Sequence, residues 1–177
     1  GPRNIGVNNA NGEWVAFLDA DDIWHPRKLK IQKKYISGKS HISFCCSDIV
    51  KFVDSYNDEL VIVDNVINYS VITLSNQLKK SRIANSSVII KKAIVEKYPF
   101  NESINYKAVE DFDCWLRVLV EVGECHKIRL PLIGYRLQPD QISRNKIEMA
   151  KKFLMVLNNF KFISGKRLGF KKYLYFA

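Results

Sequence analysis

Apolar and polar positions change period several times along the chain, and each change marks an element. Arg3 to Asn11 reads as a short helix closed by Gly12, since glycine tolerates the left-handed conformation at a helix C-terminus. Trp14 to Leu18 is a continuous apolar run of strand length, as expected for a strand covered on both faces in a parallel α/β sheet. Polarity returns abruptly with Asp19-Ala20-Asp21-Asp22, and Pro26 then opens a lysine-rich helix reaching about Tyr35. Ile42 to Val53 is β-branched and aromatic, and Asn57 and Asp58 separate it from a second β-like run, Leu60 to Val63, which together suggest a hairpin or an excursion. Ser70 to Lys80 reads as helix, Ser87 to Ile90 as strand, and Lys92 to Lys97 as a short helix stopped before Pro99. From Glu110, the positions Phe112, Trp115, Leu116, Leu119 and Val120 recur at helical spacing until Gly123, and Ile128 to Leu137 returns to strand. This alternation predicts an α/β fold with a mixed, mostly parallel sheet flanked by helices. Beyond it, Ile147, Ala150, Leu154 and Leu157 fall on one helical face, widened by Phe153 and Phe160.

Length and composition narrow the picture. The 177 residues suit one domain, and 47% apolar with 26% charged residues excludes a disordered tail or a fibre. Apolar runs stay far short of the roughly 20 residues that a membrane-spanning helix needs, and no signal-peptide pattern opens the chain, so a soluble or surface-bound protein is expected. Cys45, Cys46, Cys114 and Cys125 lack C-x-x-C spacing and are expected to be reduced, buried thiols of a cytoplasmic protein. The formal charge is +10, and between Arg144 and the C-terminus nine basic residues face one acid, Glu148. The chain therefore divides into residues 1–145 and a basic amphipathic segment, 146–177. That segment suits either an anionic membrane surface or a helix packed on the domain with a solvated face. Nucleic acid is not an expected partner, because no RNA- or DNA-binding module is present.

The acidic tetrad is the first candidate for chemistry. Carboxylates crowded at the end of a strand raise one another's pKa unless a cation neutralises them. Mg2+ or Mn2+ is suited to that task, because these ions accept one or two carboxylates together with substrate phosphates. Asp21 or Asp22 could instead only form a turn or cap the next helix. Glu110 and Asp111 open a helix about ninety residues later, where acids also complement the helix dipole.

Two stretches resemble the same family. Arg3-Asn4-Ile5-Gly6, Gly12-Glu13-Trp14-Val15-Ala16-Phe17-Leu18-Asp19-Ala20-Asp21-Asp22 and Trp24-His25-Pro26-Arg27-Lys28-Leu29 resemble, in order, the A-R-N-x-G, G-E-y-[IV]-A-F-L-D-x-D-D and W-x-P-x-[KR]-L segments of family 2 glycosyltransferases. Pro2 stands where the first alanine would be. Glu110-Asp111-Phe112-Asp113-Cys114-Trp115-Leu116-Arg117 resembles the family's E-D-x-[DE]-x-W-L-R, and Tyr135-Arg136 followed by Ser143 resembles its Y-R … S. The resemblance covers residues 1 to about 145.

It implies a GT-A fold and transfer of a sugar from a nucleotide-diphosphate donor, UDP-linked in the first instance, with inversion at the anomeric carbon. It further implies synthesis of cell-surface polysaccharide or glycan, with a saccharide or lipid-linked acceptor; the reduced cysteines point to the cytoplasmic side, and the basic segment, on its membrane reading, to the inner membrane face. Asp21, supported by Asp19 and Asp22, would hold Mg2+ or Mn2+ on the departing diphosphate, where negative charge develops. Asp111 matches the family's base, which takes the proton of the acceptor hydroxyl, with Glu110 as the alternative. Arg3 matches a donor-contacting position, together with Asp19, Asp21 and Asp22. Arg136 could meet phosphate or form a salt bridge at the edge of the core. Trp24 and Trp115 could face a sugar or pack helices, and His25 reads as a loop or cap residue.

The chain also departs from the family. The opening I-I-P-x-Y-N strand and the next strand, with its nucleotide-binding aspartate, have no counterpart, so N-terminal strands are missing and residues 1–177 alone are expected to be inactive. Gln138 stands where many relatives carry histidine. Asn145 replaces the tryptophan of the processive Q-x-x-R-W motif, which favours single addition. Two other classes remain: an aspartyl phosphatase using Asp19-x-Asp21, although Ile23 breaks its pattern, and a basic membrane or nucleic-acid adaptor without catalysis.

Overall fold

A computed structural model describes residues 1–56, 67–138 and 145–164, with side chains described to residue 160. Its longest strand, β6 (Glu124–Arg136), lies parallel to β3 (Phe44–Phe52). On the far side of β3, β5 (Ile89–Lys91) and then β1 (Trp14–Ala16) are added antiparallel. The other edge of β6 is shared by β4 (Tyr69–Thr73) along its first half and by β2 (Ile23–Trp24) near its end, both antiparallel. The sheet is mixed, as expected, but β3 with β6 is its parallel pairing among the described residues, so the mostly parallel expectation is corrected. Continuous apolar runs report that both faces of a strand are covered; they carry no information on its direction.

Helices α1 (Pro2–Asn9), α2 (Lys28–Ile36), α4 (Lys92–Val95) and α5 (Glu110–Val122) fall where the sequence pattern places helices. Gly123, at φ 82°, ends α5 in a backbone conformation that glycine adopts without a Cβ penalty. One expectation fails: residues 70–80 are not one helix but β4 followed by α3 (Leu74–Lys79). Val71, Ile72 and Thr73 are β-branched, and Ile72 is buried while its neighbours are exposed, as a strand requires. Thr73 then caps α3 in a reciprocal box, its Oγ1 accepting from the Asn76 N–H (3.4 Å) while Asn76 Oδ1 accepts from the Thr73 N–H (3.1 Å). The expected partner strand at 60–63 lies outside the described residues, and β3 pairs with β5 and β6 instead.

Alternation along β3 divides the interior in two. Phe44 and Cys46 face a core with Phe17, Phe100 and Trp115, while Cys45 faces Ile31, Tyr35, Ile128 and Leu132. All four cysteines are buried free thiols. Trp115 is fully buried among the Phe17, Phe44 and Phe100 rings, which settles it as a packing residue. Helix α6 (Lys146–Ser164) packs Val156, Leu157 and Phe160 against Tyr106, Val109, Phe112 and Leu116 of the α5 region. Its buried face is therefore rotated from the expected one: Leu157 and Phe160 belong to it, but Ile147 and Leu154 are exposed. No described helix is long and apolar enough to cross a membrane.

Candidate active site

The acidic loop joins β1, at one end of the strand order, to β2, on the outer side of β6, and needs holding along the way. A buried 3-10 turn, Asn85–Ser87, supplies the anchors. Ser86 Oγ accepts from the Asp19 N–H (3.0 Å) and donates to Asp22 Oδ2 (2.6 Å), and the Ser86 carbonyl accepts from Trp24 Nε1 (2.9 Å). Asn85 Nδ2 donates to Asp19 Oδ1 (2.9 Å). From β6, the Arg136 N–H donates to Asp22 Oδ1 (3.2 Å) and its Nε donates to the Asp21 carbonyl (3.1 Å). Asp22 is therefore buried with both carboxylate oxygens taken, and burial raises its pKa even though Ser86 and Arg136 oppose the rise. Arg136 braces the loop and lies over the Phe52 ring at 4.5 Å. Trp24 is a bracing residue as well, with the Lys28 ammonium 4.3 Å from its ring centre. His25 behaves as a cap, its Nδ1 accepting from the Arg27 N–H at 3.1 Å.

Arg3, on α1, joins the two distant acidic segments. Its guanidinium donates through Nη2 to Asp19 Oδ1 (2.7 Å) and through Nη1 to Glu110 Oε1. Burial works against its charge, but Asp19 together with Asp111 and Glu110 carries its pKa above the ordinary arginine value. The cation expected among these carboxylates is thus, in part, a side chain of the protein. Arg3 serves as a counter-ion between the acidic loop and the α5 N-terminus.

Asp111 is left outside that fork. It is half-buried, and its Oδ1 accepts from the Phe112 N–H at 2.8 Å. Burial pushes its pKa up to about 6, Arg3 opposes, and Glu110 adds to the rise. The third acid of the turn, Asp113, is buried and committed to Arg117 (2.7 Å), which also donates to the Pro99 carbonyl. Just ahead of α5, Ala108 takes φ 73°, a conformation costing a non-glycine residue about 1–2 kcal/mol. Sequence reasoning did not find Ala108, Asn85 or Ser86. The buried polar run Asn85-Ser86-Ser87 directly ahead of a strand was the available signal for the last two.

These groups share one cavity of about 620 Å3, whose walls include Arg3, Asp19, Asp21, Asp22, Glu110 and Asp111. Ser47, Lys51, Lys80, Arg82, Ala108 and Tyr135 line it further. A larger hollow of about 840 Å3 shares Arg3, Asp19 and Glu110 but otherwise follows α1, β1 and residues 100–107, away from Asp21 and Asp111. The smaller one is the candidate site, because Asp21 and Asp111 line it and not the larger hollow. Among the described residues, no three carboxylate, imidazole or thiolate groups are disposed to hold a metal between them. Asp22 is spent, and Asp19 Oδ1 already serves Arg3 and Asn85. Asp21 lines the cavity with no side-chain partner among the described residues. This donor set does not make a protein cage; it fits a hard divalent cation bound by one carboxylate and completed by phosphate oxygens.

Over 166 residues the chain is 30% identical to the Escherichia coli UDP-Glc:alpha-D-GlcNAc-diphosphoundecaprenol beta-1,3-glucosyltransferase WfgD, covering 90% of the chain and 60% of WfgD. It is 27% identical over 150 residues to the putative teichuronic acid biosynthesis glycosyltransferase TuaG of Bacillus subtilis, covering 85% of the chain and 57% of TuaG. The chain thus spans about three fifths of the length of these relatives. Among solved structures, S. aureus TarS 1-349 in complex with UDP-GlcNAc superposes with a TM-score of 0.61 at 14% identity, over 90% of the chain and 46% of TarS 1-349. That likeness establishes the fold, a partial GT-A domain. The model of the family described as glycosyl transferase family 2 matches residues 1–98, and the chain belongs to that family.

Proposed function

We propose that the chain is the cation-binding and acceptor-side part of an inverting glycosyltransferase. It moves a sugar from a nucleoside-diphosphate donor, UDP-linked as in the substrate named for WfgD, to a saccharide carried on a polyprenyl diphosphate. The observation that carries this reading is the shared cavity: the Asp19–Asp22 loop and Asp111 line one space, with Asp111 raised to about 6. A carboxylate of that pKa is ionised at neutral pH yet basic enough to accept the proton of an attacking hydroxyl. Mg2+ or Mn2+, held by Asp21, would neutralise charge on the departing diphosphate. Arg3 keeps Asp19 and Glu110 in place, and Glu110, tied to Arg3, sets the field at Asp111. Against an aspartyl phosphatase stands Asp19 itself: one oxygen of the would-be nucleophile, Oδ1, already accepts from both Arg3 and Asn85.

The reaction takes place at the cytoplasmic membrane face, where a lipid-linked acceptor would reside, and the basic segment after residue 145 supplies the surface contact. The test is turnover of UDP-sugars, with Mn2+ and a prenyl-diphosphate-linked saccharide, by residues 1–177 completed with the part of WfgD that the chain does not cover. Asp111→Asn is expected to cost about 10²–10⁴ in kcat. Phosphate release from monoesters, dependent on Asp19 and indifferent to Asp111, would overturn the assignment.

A further inference from the structure

The cavity is lined by charge of both signs: Asp19, Asp21, Glu110 and Asp111, and with them Lys51, Lys80 and Arg82. Lys127 also lines it but is spent on Asp48 at 2.9 Å. Among the described residues, none of Lys51, Lys80 and Arg82 forms an ion pair, although carboxylates line the same space. Their backbone is firmly placed. Lys51 stands on β3 opposite Tyr135 of β6, which also lines the cavity. The turn bearing Lys80 and Arg82 is tied at both ends: the Lys80 N–H donates to the Asn76 carbonyl (3.3 Å), and the Arg82 N–H donates to Oε1 of the fully buried Gln77 (2.9 Å). Ile83, 2% exposed, pins the next position into the core.

Three cations that line this cavity on well-anchored backbone, none of them in an ion pair among the described residues, form a place for an anion that the carboxylates would repel. We infer that Lys51, Lys80 and Arg82 form a subsite for the diphosphate of the acceptor, separate from the donor diphosphate that Asp21 and its cation would hold. The inference rests on the acceptor class proposed above. The arrangement suits that substrate: the acceptor hydroxyl must reach Asp111, and its diphosphate, at the far side of the sugar ring, then needs cations of its own. Arg82 offers a planar fork to phosphate oxygens, and the two lysines act as point charges.

The experiment introduces Lys51→Gln, Lys80→Gln and Arg82→Gln, singly and together, into the full chain for binding and, for turnover, into the chain completed with the part of WfgD that it does not cover. Titration with inorganic pyrophosphate without metal is expected to lose affinity about tenfold with each substitution, and wild-type affinity should fall with added salt. In turnover, KM for a prenyl-diphosphate-linked saccharide should rise about tenfold for Arg82→Gln, while KM for the UDP-sugar moves less than twofold. A rise in donor KM with acceptor KM unmoved would assign these cations to the donor and overturn the inference. Unchanged pyrophosphate affinity in the triple variant would overturn it as well, leaving a solvated basic face. Should the completed wild type turn over no nucleotide sugar, the glycosyltransferase reading fails by itself, and the pyrophosphate titration still decides whether the anion site exists.

Discussion

Asp111→Asn should make the protein more stable while it removes the reaction. Asp111 titrates at 3.8 when unperturbed and at about 6 in the fold, because burial and the neighbouring Glu110 outweigh Arg3. A rise of roughly 2 in pKa, at about 1.36 kcal/mol each, sets an upper bound of about 3 kcal/mol. Asp111 is only half-buried, so solvent screening reduces the expected value to about 1–2 kcal/mol. The sign follows from proton binding: the folded state holds the proton more tightly, so ionised Asp111 costs stability above about pH 6, and the cost disappears as pH falls towards 3.8. Asparagine keeps the carbonyl oxygen that accepts from the Phe112 N–H and never ionises. Urea denaturation at pH 7.5 should therefore show the variant about 1–2 kcal/mol more stable, with the difference closing by about pH 4. A variant less stable at pH 7.5, or a difference that ignores pH, would refute the account of Asp111 as a strained base.

The two neighbouring loop acids should separate cleanly. Asp22→Ala strands Ser86 and the Arg136 N–H and should cost about 1–3 kcal/mol in chemical denaturation, whereas Asp21→Asn should leave stability within about 0.5 kcal/mol and remove metal-dependent turnover. Lys28 is fully buried with no hydrogen-bond partner for its Nζ, and burial lowers its pKa to about 7. Its charged form costs stability below that pH, and the cost is relieved as pH rises towards 10.5, so Lys28→Met should raise Tm most near pH 6 and least near pH 10. At Gly134 a Cβ would lie 2.5 Å from the Tyr56 ring, and Gly134→Ala should destabilise by about 1–3 kcal/mol, read as a lower urea midpoint.

How far the sequence revealed this site depends on which physical property each residue uses. Trp14–Leu18 and the Glu110 helix were legible because burial imposes a period, and Asp19–Asp22 because like charges at a strand end demand compensation. Strand direction was not legible, since a short apolar run such as Ile89–Ile90 pairs equally well either way round. Residues 70–80 misled because the spacing of Val71, Leu74 and Leu78 fits a helix, while the β-branching of Val71, Ile72 and Thr73 decided the structure. On α6, Phe153, Val156, Leu157 and Phe160 form a stripe as regular as the expected one, and only the position of α5 selects it. The division of labour within the acidic loop was also hidden. Asp21 and Asp22 are chemically identical neighbours, and the Ser86 hydroxyl, 64 residues away, together with the Arg136 N–H, is what occupies the Asp22 carboxylate.

Glu110 gains its role from the same logic. Arg3 has one guanidinium for three carboxylates and gives its two forks to Asp19 and Glu110, so Asp111 feels the cation only through space. On the proposed reading Glu110, the sequence's alternative base, becomes a positioning residue that adds to the raised pKa of Asp111, the proposed base. Replacing it tests the distinction. Glu110→Gln removes a negative neighbour from Asp111 and frees one edge of Arg3 to approach it, and both changes lower the Asp111 pKa. The acid limb of kcat/KM should then move down by about one pH unit, and the plateau rate should fall modestly, because a weaker base abstracts a proton less readily. If Glu110 were itself the base, the same substitution would abolish the plateau, leaving no acid limb to move. A pH profile of the two variants side by side, Glu110→Gln and Asp111→Asn, decides between these outcomes, and a flat, inactive profile for Glu110→Gln would sink the assignment of Asp111.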